Sequence, residues 1–151
     1  MYTFKTEQLL PITIDTAWNF FSSPENLAKI TPPEMDFVIV DNYKKENFVS
    51  GLIINYRVKP LLGIRLKWRT EICNVQHKKS FTDKQLIGPY KVWEHTHIFT
   101  ETKDGLLMND KINYELPYGY LGKIAHRIVV RNKIEAIFAY RKKMIEQLFS
   151  K

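Results

Sequence analysis

The stretch from residue 36 to residue 116 constrains the fold most, because short turns divide it into five or six extended segments. The segments cover approximately residues 36–41, 48–58, 64–75, 80–87, 91–100 and 106–116, and the turns between them are NYKKEN, KPLLG, QHKK, IGP and TKDG. A connection between parallel strands needs about a dozen residues or more, so turns this short join neighbouring strands as antiparallel hairpins. The sequence therefore predicts an antiparallel meander.

Two short helices are predicted before this meander. Residues 3–12 form a predicted first strand, after which Asp15 or Thr16 is placed to cap a short helix. Ser23 precedes Pro24, as expected for an N-cap followed by proline at the first helical position, and this pair predicts a second short helix. The second helix must end before the Pro-Pro pair that follows, because a residue before proline avoids the helical conformation.

The sequence after Pro117 predicts one long helix that ends at Phe149 and measures about 40 Å. An apolar stripe along it must pack on a large apolar surface, for which the sheet is the candidate. These elements predict one α+β domain of 151 residues, with a curved antiparallel sheet of six to seven strands around the last helix. The stripe consists of Val130, Ile134, Ile137, Phe138, Ile145 and Leu148, with Arg131, Lys133, Arg141, Lys142 and Lys143 mainly on the other side.

Alternation along the strands indicates which face of the sheet meets the helix. In three segments the even-numbered positions are mainly apolar, whereas Arg65, Lys67 and Arg69 look outward. The inner face also contains polar groups, which are unfavourable when shielded from water unless they are hydrogen-bonded. The predicted inner positions are Leu52, Ile54, Tyr56, Val58, Ile64, Leu66, Trp68, Thr70, Ile72, Leu106, Met108, Asp110, Ile112 and Tyr114.

The segment KVWEHTHIF, residues 91–99, adds two histidines to this face. Its alternate residues Trp93, His95, His97 and Phe99 point to one side of a strand, so two large rings bracket two imidazoles. Such a pattern predicts a lined pocket rather than a charged surface.

A two-residue turn at Lys103 and Asp104 would set His97 opposite Asp110 and Trp93 opposite Tyr114. A turn centred on Asp104 and Gly105 would shift the pairing by two and keep the same faces together, whereas a three-residue turn with a glycine bulge would change the pairing. Three interpretations are then open: a hydrogen-bonded network that only holds the sheet, a few polar groups that orient an apolar ligand, or a metal site. Histidines two positions apart begin about 7 Å apart and are not preset for a metal. The sequence has no glycine-rich phosphate loop and no Ser/His/Asp or Cys/His arrangement, and it indicates neither a metal nor a cofactor.

Charge and cysteine content limit the function classes. The net charge of +7 permits attraction to phosphate-rich partners, but the basic residues form no run of five or more, so nucleic-acid binding is not favoured. Cys73 is the only cysteine, and the first residues lack the apolar run of a signal peptide, which predicts a cytoplasmic location. No segment approaches the roughly 18 apolar residues that span a bilayer. A monomer or a homodimer is expected.

Several motifs resemble the SRPBCC superfamily, the helix-grip group that contains START lipid-transfer domains, Bet v 1-type allergens and polyketide cyclase/dehydrase-like proteins. They are TAWNFFSSPENLAKITPP, KPLLGI, WRTEI, FTDKQLIGPYKVWEHTHIF and LPYGYLG, and the resemblance covers essentially the whole chain. It implies a deep hydrophobic cavity between the sheet and the long C-terminal helix. The residues that it places in this cavity are Tyr56, Trp68, Trp93, His95, His97, Asp110, Ile112, Tyr114 and Phe138.

Three functions remain open. The first is binding of a hydrophobic small molecule, such as a lipid, a quinone or a polyketide-like compound, in a cavity without recognisable catalytic motifs. The second is a cyclase or dehydratase in which His95 or His97 is a general base and Asp110 holds the tautomer or acts as an acid. The third is a module that binds RNA, a ribosome or a protein through its basic outer strands.

Two local features stay undetermined by the sequence. The loop with Leu61 and Leu62 is a lid, a tip that touches a membrane transiently, or ordinary packing. Phe81, Asp83 and Gln85 alternate along one segment, but the sequence does not indicate which face of the sheet they occupy.

Overall fold

The computed structural model describes residues 1–41, 48–60 and 63–150, which form a seven-stranded sheet and a C-terminal helical segment. The sheet order is β1-β7-β6-β5-β4-β3-β2 and all neighbours are antiparallel, so the predicted α+β meander is confirmed. The elements are β1 (Tyr2–Leu10), α1 (Ile14–Phe21), α2 (Pro24–Leu27), β2 (Val38–Ile39), β3 (Ile53–Val58), β4 (Leu66–Gln76), β5 (Ser80–Ile87), β6 (Val92–Thr102), β7 (Gly105–Glu115), α3 (Gly119–Ala125) and α4 (Arg131–Phe149). Single 3₁₀ turns at Ala28–Ile30 and Pro33–Met35 follow α2, and a π-helical turn at His126–Val130 joins α3 to α4.

The first helix begins earlier than the sequence predicted. Thr13 is its N-cap, and the Thr13 hydroxyl accepts a hydrogen bond of 3.2 Å from the backbone N–H of Thr16. The prediction of Asp15 or Thr16 as N-cap is therefore wrong. Asp15 instead lies in the first turn, where a carboxylate interacts favourably with the helix dipole. Ser23 is the N-cap of α2, as predicted, although its hydroxyl donates to the Asn19 carbonyl at 2.9 Å.

Several predicted strands are shorter in the structure. Within residues 36–41 only Val38–Ile39 is paired, because Asp36 has a left-handed φ of 46° at the end of the preceding turn. Within residues 48–58 the strand begins at Ile53, since the chain turns at Gly51 with a φ of 93°. Ile64, predicted on the inner face, precedes β4 and is 57% exposed, so that prediction is wrong.

The β6–β7 hairpin has the predicted tight turn. Thr102 pairs with Gly105, which leaves two residues in the turn, and the register sets His97 opposite Asp110 and Trp93 opposite Tyr114. Gly105, which follows the turn directly, has a φ of 132°, in the region that favours glycine. The predicted register and the faces that depend on it are therefore confirmed.

The C-terminal segment is helical from Gly119 to Phe149, with the π-helical turn in the middle. Its apolar side packs on the sheet through Ile134, Phe138 and Ile145, which are all buried. Two predictions for this helix are wrong: Leu148 is 44% exposed, and Arg141 is buried. Positions 134, 138, 141 and 145 follow one another at spacings of four and three, so they share one helix face. No helix within the described residues is long and apolar enough to cross a bilayer.

Candidate functional site

A cavity of about 150 Å³ lies between the inner face of the sheet and α4. Its wall is mostly aromatic and aliphatic, and the α1–α2 region adds side chains such as Phe20, Leu27 and Ile30, which the sequence did not identify as wall residues. Six of the nine predicted site residues lie in the wall, and their contact with a ligand stays a prediction. They are Tyr56, Trp68, Trp93, His95, His97 and Phe138.

An aromatic cluster forms one part of the wall. The ring of Trp93 lies 5.5 Å from Trp68 and 4.7 Å from Tyr90, measured between centroids. Tyr90 follows the Gly-Pro pair between β5 and β6 and is held by Gln85, whose amide donates to the Tyr90 carbonyl at 2.7 Å. Turn residues are rarely expected in a cavity wall, which explains why the sequence did not indicate Tyr90.

Asp110, Ile112 and Tyr114 are not in the cavity wall, contrary to their predicted position. All three are on the buried face of β7, but α4 packs directly against this side of the sheet and fills the space. The rings of Phe4 on β1 and Phe138 on α4 lie 5.2 Å apart there. A side chain on the inner face of the sheet therefore does not necessarily border the cavity.

Two imidazoles and two carboxylates form a compact cluster, of which Asp83, His95 and His97 border the cavity. Asp83 on β5 is paired with His95 on β6, and Asp110 on β7 is paired with His97. The hydrogen bonds run diagonally instead: His95 Nε2 lies 2.8 Å from Asp110 Oδ1, and His97 Nε2 lies 3.2 Å from Asp83 Oδ2. Asp83 and Phe81 therefore occupy the inner face, which the sequence left undetermined, and both border the cavity.

The remaining ring nitrogens also face carboxylates. His95 Nδ1 lies 3.3 Å from Asp83 Oδ2, and His97 Nδ1 lies 2.9 Å from Asp110 Oδ1. The direction of the second contact does not suit a hydrogen bond, so His97 Nδ1 is buried without a hydrogen-bond partner among the described residues. The His97 ring is stacked on Phe81 at 4.4 Å, which fixes its plane.

The cluster contains more ionised groups than is usual in a protein interior. Burial alone lowers the pKa of His95, but the carboxylates of Asp83 and Asp110 outweigh it and raise this pKa to about 9. Burial favours the neutral forms of Asp83 and Asp110, yet the two imidazoles hold both carboxyl pKa values well below their ordinary range. His95 is therefore protonated at neutral pH and lies between two ionised carboxylates.

Asp83, His95 and His97 each offer one donor atom to a metal ion, and these atoms lie within 4.8 Å of one another. The sequence interpretation had put Asp110 in this set, whereas in the structure Asp110 contacts the other nitrogen of each ring. The contacts of Asp83 with both rings, at 3.2 and 3.3 Å, are explained by the ion-pair network alone. We therefore assign no metal to the cluster.

Lys67 and Arg69 lie on the outer face of β4, Arg65 directly precedes this strand, and all three are exposed, as predicted. Arg65 forms an ion pair with Asp36, and the Arg69 Nε donates to the Asn55 side chain at 3.0 Å. Two of the three cations thus already have partners, which weakens the case for a nucleic-acid surface. The Leu61–Leu62 loop lies outside the described residues.

Several solved structures have a similar fold. Neither protein family profiles nor curated proteins match the sequence. Ginseng major latex-like protein 151 from Panax ginseng has a TM-score of 0.72 at 13% identity, with coverage of 99% of this chain and 98% of that chain. Protein CV1439 from Chromobacterium violaceum has a TM-score of 0.70 at 14% identity, with coverage of 99% and 97%.

A third similar structure is the di-domain ARO/CYC protein StfQ from the steffimycin biosynthetic pathway. Its TM-score is 0.63 at 13% identity, and the match covers 97% of this chain and 51% of StfQ. Similarity at this level of identity concerns the fold. The protein therefore has the helix-grip fold that the sequence predicted, with a curved antiparallel sheet around a long C-terminal helix.

Proposed function

We propose that the protein binds a hydrophobic small molecule in the cavity between the sheet and α4. The main support is the composition of the wall, in which aromatic and aliphatic side chains surround the space and a few polar groups project into it. Binding sites for small molecules usually combine an apolar pocket with a small number of polar groups that orient the ligand. The polar groups here include Thr70, Asp83, His95, His97 and Arg141.

The volume of the cavity limits what can enter. An apolar cavity of about 150 Å³ accepts a molecule of about the size of benzene. A lipid, quinone or polyketide-like ligand would thus insert one ring or a short chain segment, and a larger insertion requires the wall to move. The preferred ligands should be small or slender apolar molecules.

Titration with an apolar fluorescent dye, followed by displacement with candidate ligands, tests this proposal. Ile137 is a half-buried wall residue on α4, and Ile137→Trp should fill part of the space. We expect this change to weaken dye binding at least about tenfold, or roughly 1.4 kcal/mol. Leu148→Trp adds the same ring to an exposed position of the same helix and should leave binding unchanged. Equal dye affinity in all three proteins would refute the proposal.

A second candidate function is acid-base catalysis on a ligand in the same cavity. It is favoured by the two imidazoles in the wall, since histidine side chains commonly transfer protons near neutral pH. His95 would donate a proton, because its pKa of about 9 keeps it charged, and Asp110 would position its ring. This reverses the general-base role suggested for His95 by the sequence.

The enzyme hypothesis is tested by incubation of the protein with poly-β-ketone substrates and analysis for cyclised or dehydrated products. His95→Gln should abolish any product formation while the circular dichroism spectrum stays unchanged. Product formation at the wild-type rate by this variant would exclude His95 as the proton donor.

A further inference from the structure

Arg141 is a cationic side chain in an apolar wall. It lies on the sheet-facing side of α4, one turn from Phe138 and one turn from Ile145, and only 9% of its surface is exposed. It is the one Arg or Lys residue in the cavity wall as far as the structure describes it. Long basic side chains usually extend to water, so an inward-facing arginine requires an explanation.

Within the described residues, the guanidinium group of Arg141 has neither a hydrogen bond nor an ion pair. Its Nε is buried without a partner in the described part of the chain, and its guanidinium carbon lies 4.7 Å from the centroid of the Phe138 ring. A guanidinium has five N–H donors and no acceptor, and a buried donor without an acceptor is unfavourable. The local packing of α4 does not satisfy this group.

The nearby carboxylates do not satisfy it either. Asp83 and Asp110 attract Arg141 electrostatically, but neither forms an ion pair with it within 4 Å. Both carboxylates are engaged by the two imidazoles instead, at distances of 2.8 to 3.3 Å. The charge of Arg141 is therefore balanced at a distance, while its Nε donor has no partner among the described residues and its side chain borders the cavity.

We infer that Arg141 binds the carboxylate group of an apolar organic acid, and that the hydrocarbon part of this acid occupies the cavity. This inference rests on the proposed binding function and specifies its ligand class. A planar carboxylate matches the parallel N–H groups of a guanidinium and forms two charge-assisted hydrogen bonds with it. A phosphate ester carries more charge and more acceptors than a single arginine can match, so the carboxylate is the better fit to this wall.

The test compares two probes of equal chain length, octanoate and 1-octanol, by isothermal titration calorimetry at constant pH. Wild-type protein should bind octanoate about 10- to 100-fold more tightly than octanol, as expected for charge-assisted hydrogen bonds. Arg141→Met keeps the volume but removes the charge and should abolish this preference. Lys143→Met removes an exposed charge from the same helix and should retain it.

The thermal stability of the ligand-free proteins gives a second readout. Replacement of a buried charge by an apolar side chain of similar volume is often neutral or stabilising. We therefore expect Arg141→Met to melt at the wild-type temperature or above it, whereas a purely structural arginine would lower the melting temperature when removed. A lower melting temperature together with an unchanged preference for octanoate would overturn the inference.

Comparison of octanoate with octanol in the wild-type protein distinguishes the carboxylate site from hydrophobic binding in general, even if a variant does not fold. Equal binding of octanoate and octanol would overturn the carboxylate site and leave hydrophobic binding intact. If neither probe binds and the dye does not bind, the binding function itself is refuted, and the carboxylate site is refuted with it.

Discussion

His95 should make the stability of the protein fall as the pH rises above 6.5. The folded protein holds the His95 proton more tightly than the unfolded chain, because Asp83 and Asp110 raise its pKa from 6.5 to about 9 despite burial. The resulting stabilisation is complete below about pH 6.5 and is lost as the pH passes through 9. At about 1.4 kcal/mol for each pH unit, the loss amounts to about 3 kcal/mol.

Urea unfolding at intervals between pH 6 and pH 9.5 measures this loss directly. His95→Gln keeps a polar side chain but carries no proton that titrates, so its unfolding free energy should vary less with pH than that of the wild type. The difference between the two curves should shrink by about 3 kcal/mol over the range. His77→Gln changes an exposed histidine outside the cluster and should follow the wild-type curve. Parallel curves for wild type and His95→Gln would refute the assigned charge state.

Three further predictions concern the cluster, the cavity and a turn. Asp110→Asn removes the charged partner of His95 at 2.8 Å and should lower the unfolding free energy by about 3–5 kcal/mol at pH 7, whereas a loss below about 1 kcal/mol in urea titrations would exclude a strong pair. Phe138→Ala should cost about 3–5 kcal/mol of stability and enlarge the cavity, so that calorimetry detects tighter binding of longer apolar probes; unchanged selectivity for probe length would contradict its place in the wall. Gly105→Ala should destabilise far more than Gly119→Ala, because the new Cβ at Gly105 would lie 2.3 Å from the Leu10 carbonyl oxygen while the one at Gly119 meets open space. Equal melting temperatures of the two glycine variants would show that the hairpin end is not packed against β1.

Much of the fold was predictable because it depends on local sequence. The turn TKDG permits only a few hairpin geometries, and one of them, the two-residue turn at Lys103 and Asp104, sets His97 opposite Asp110. Strand ends were predicted less well, since Asp36 and Gly51 adopt backbone angles that alternation does not reveal. The N-cap at Thr13 was missed because Asp15 and Thr16 are equally good capping residues.

The site depended on contacts between elements that are distant in sequence. Asp83 joins the histidine cluster only because β5 pairs with β6 in a register that brings it beside His95 and His97. Asp110, Ile112 and Tyr114 share the correct face of β7, but the position of α4 decides that they lie outside the cavity wall. No pattern within a single strand contains this information.

Arg141 shows most clearly the difference between what the sequence determines and what the tertiary structure decides. The sequence by itself determined an antiparallel sheet, a helical C-terminal segment and an apolar inner face, because hydrogen-bonding geometry and side-chain alternation act between near neighbours in the chain. The sequence predicted Arg141 on the polar side of this helix because of its charge, although it lies three residues after Phe138 and four before Ile145. Only the packing of α4 on the sheet decided that this cation faces the cavity, since burial is a property of the assembled layers.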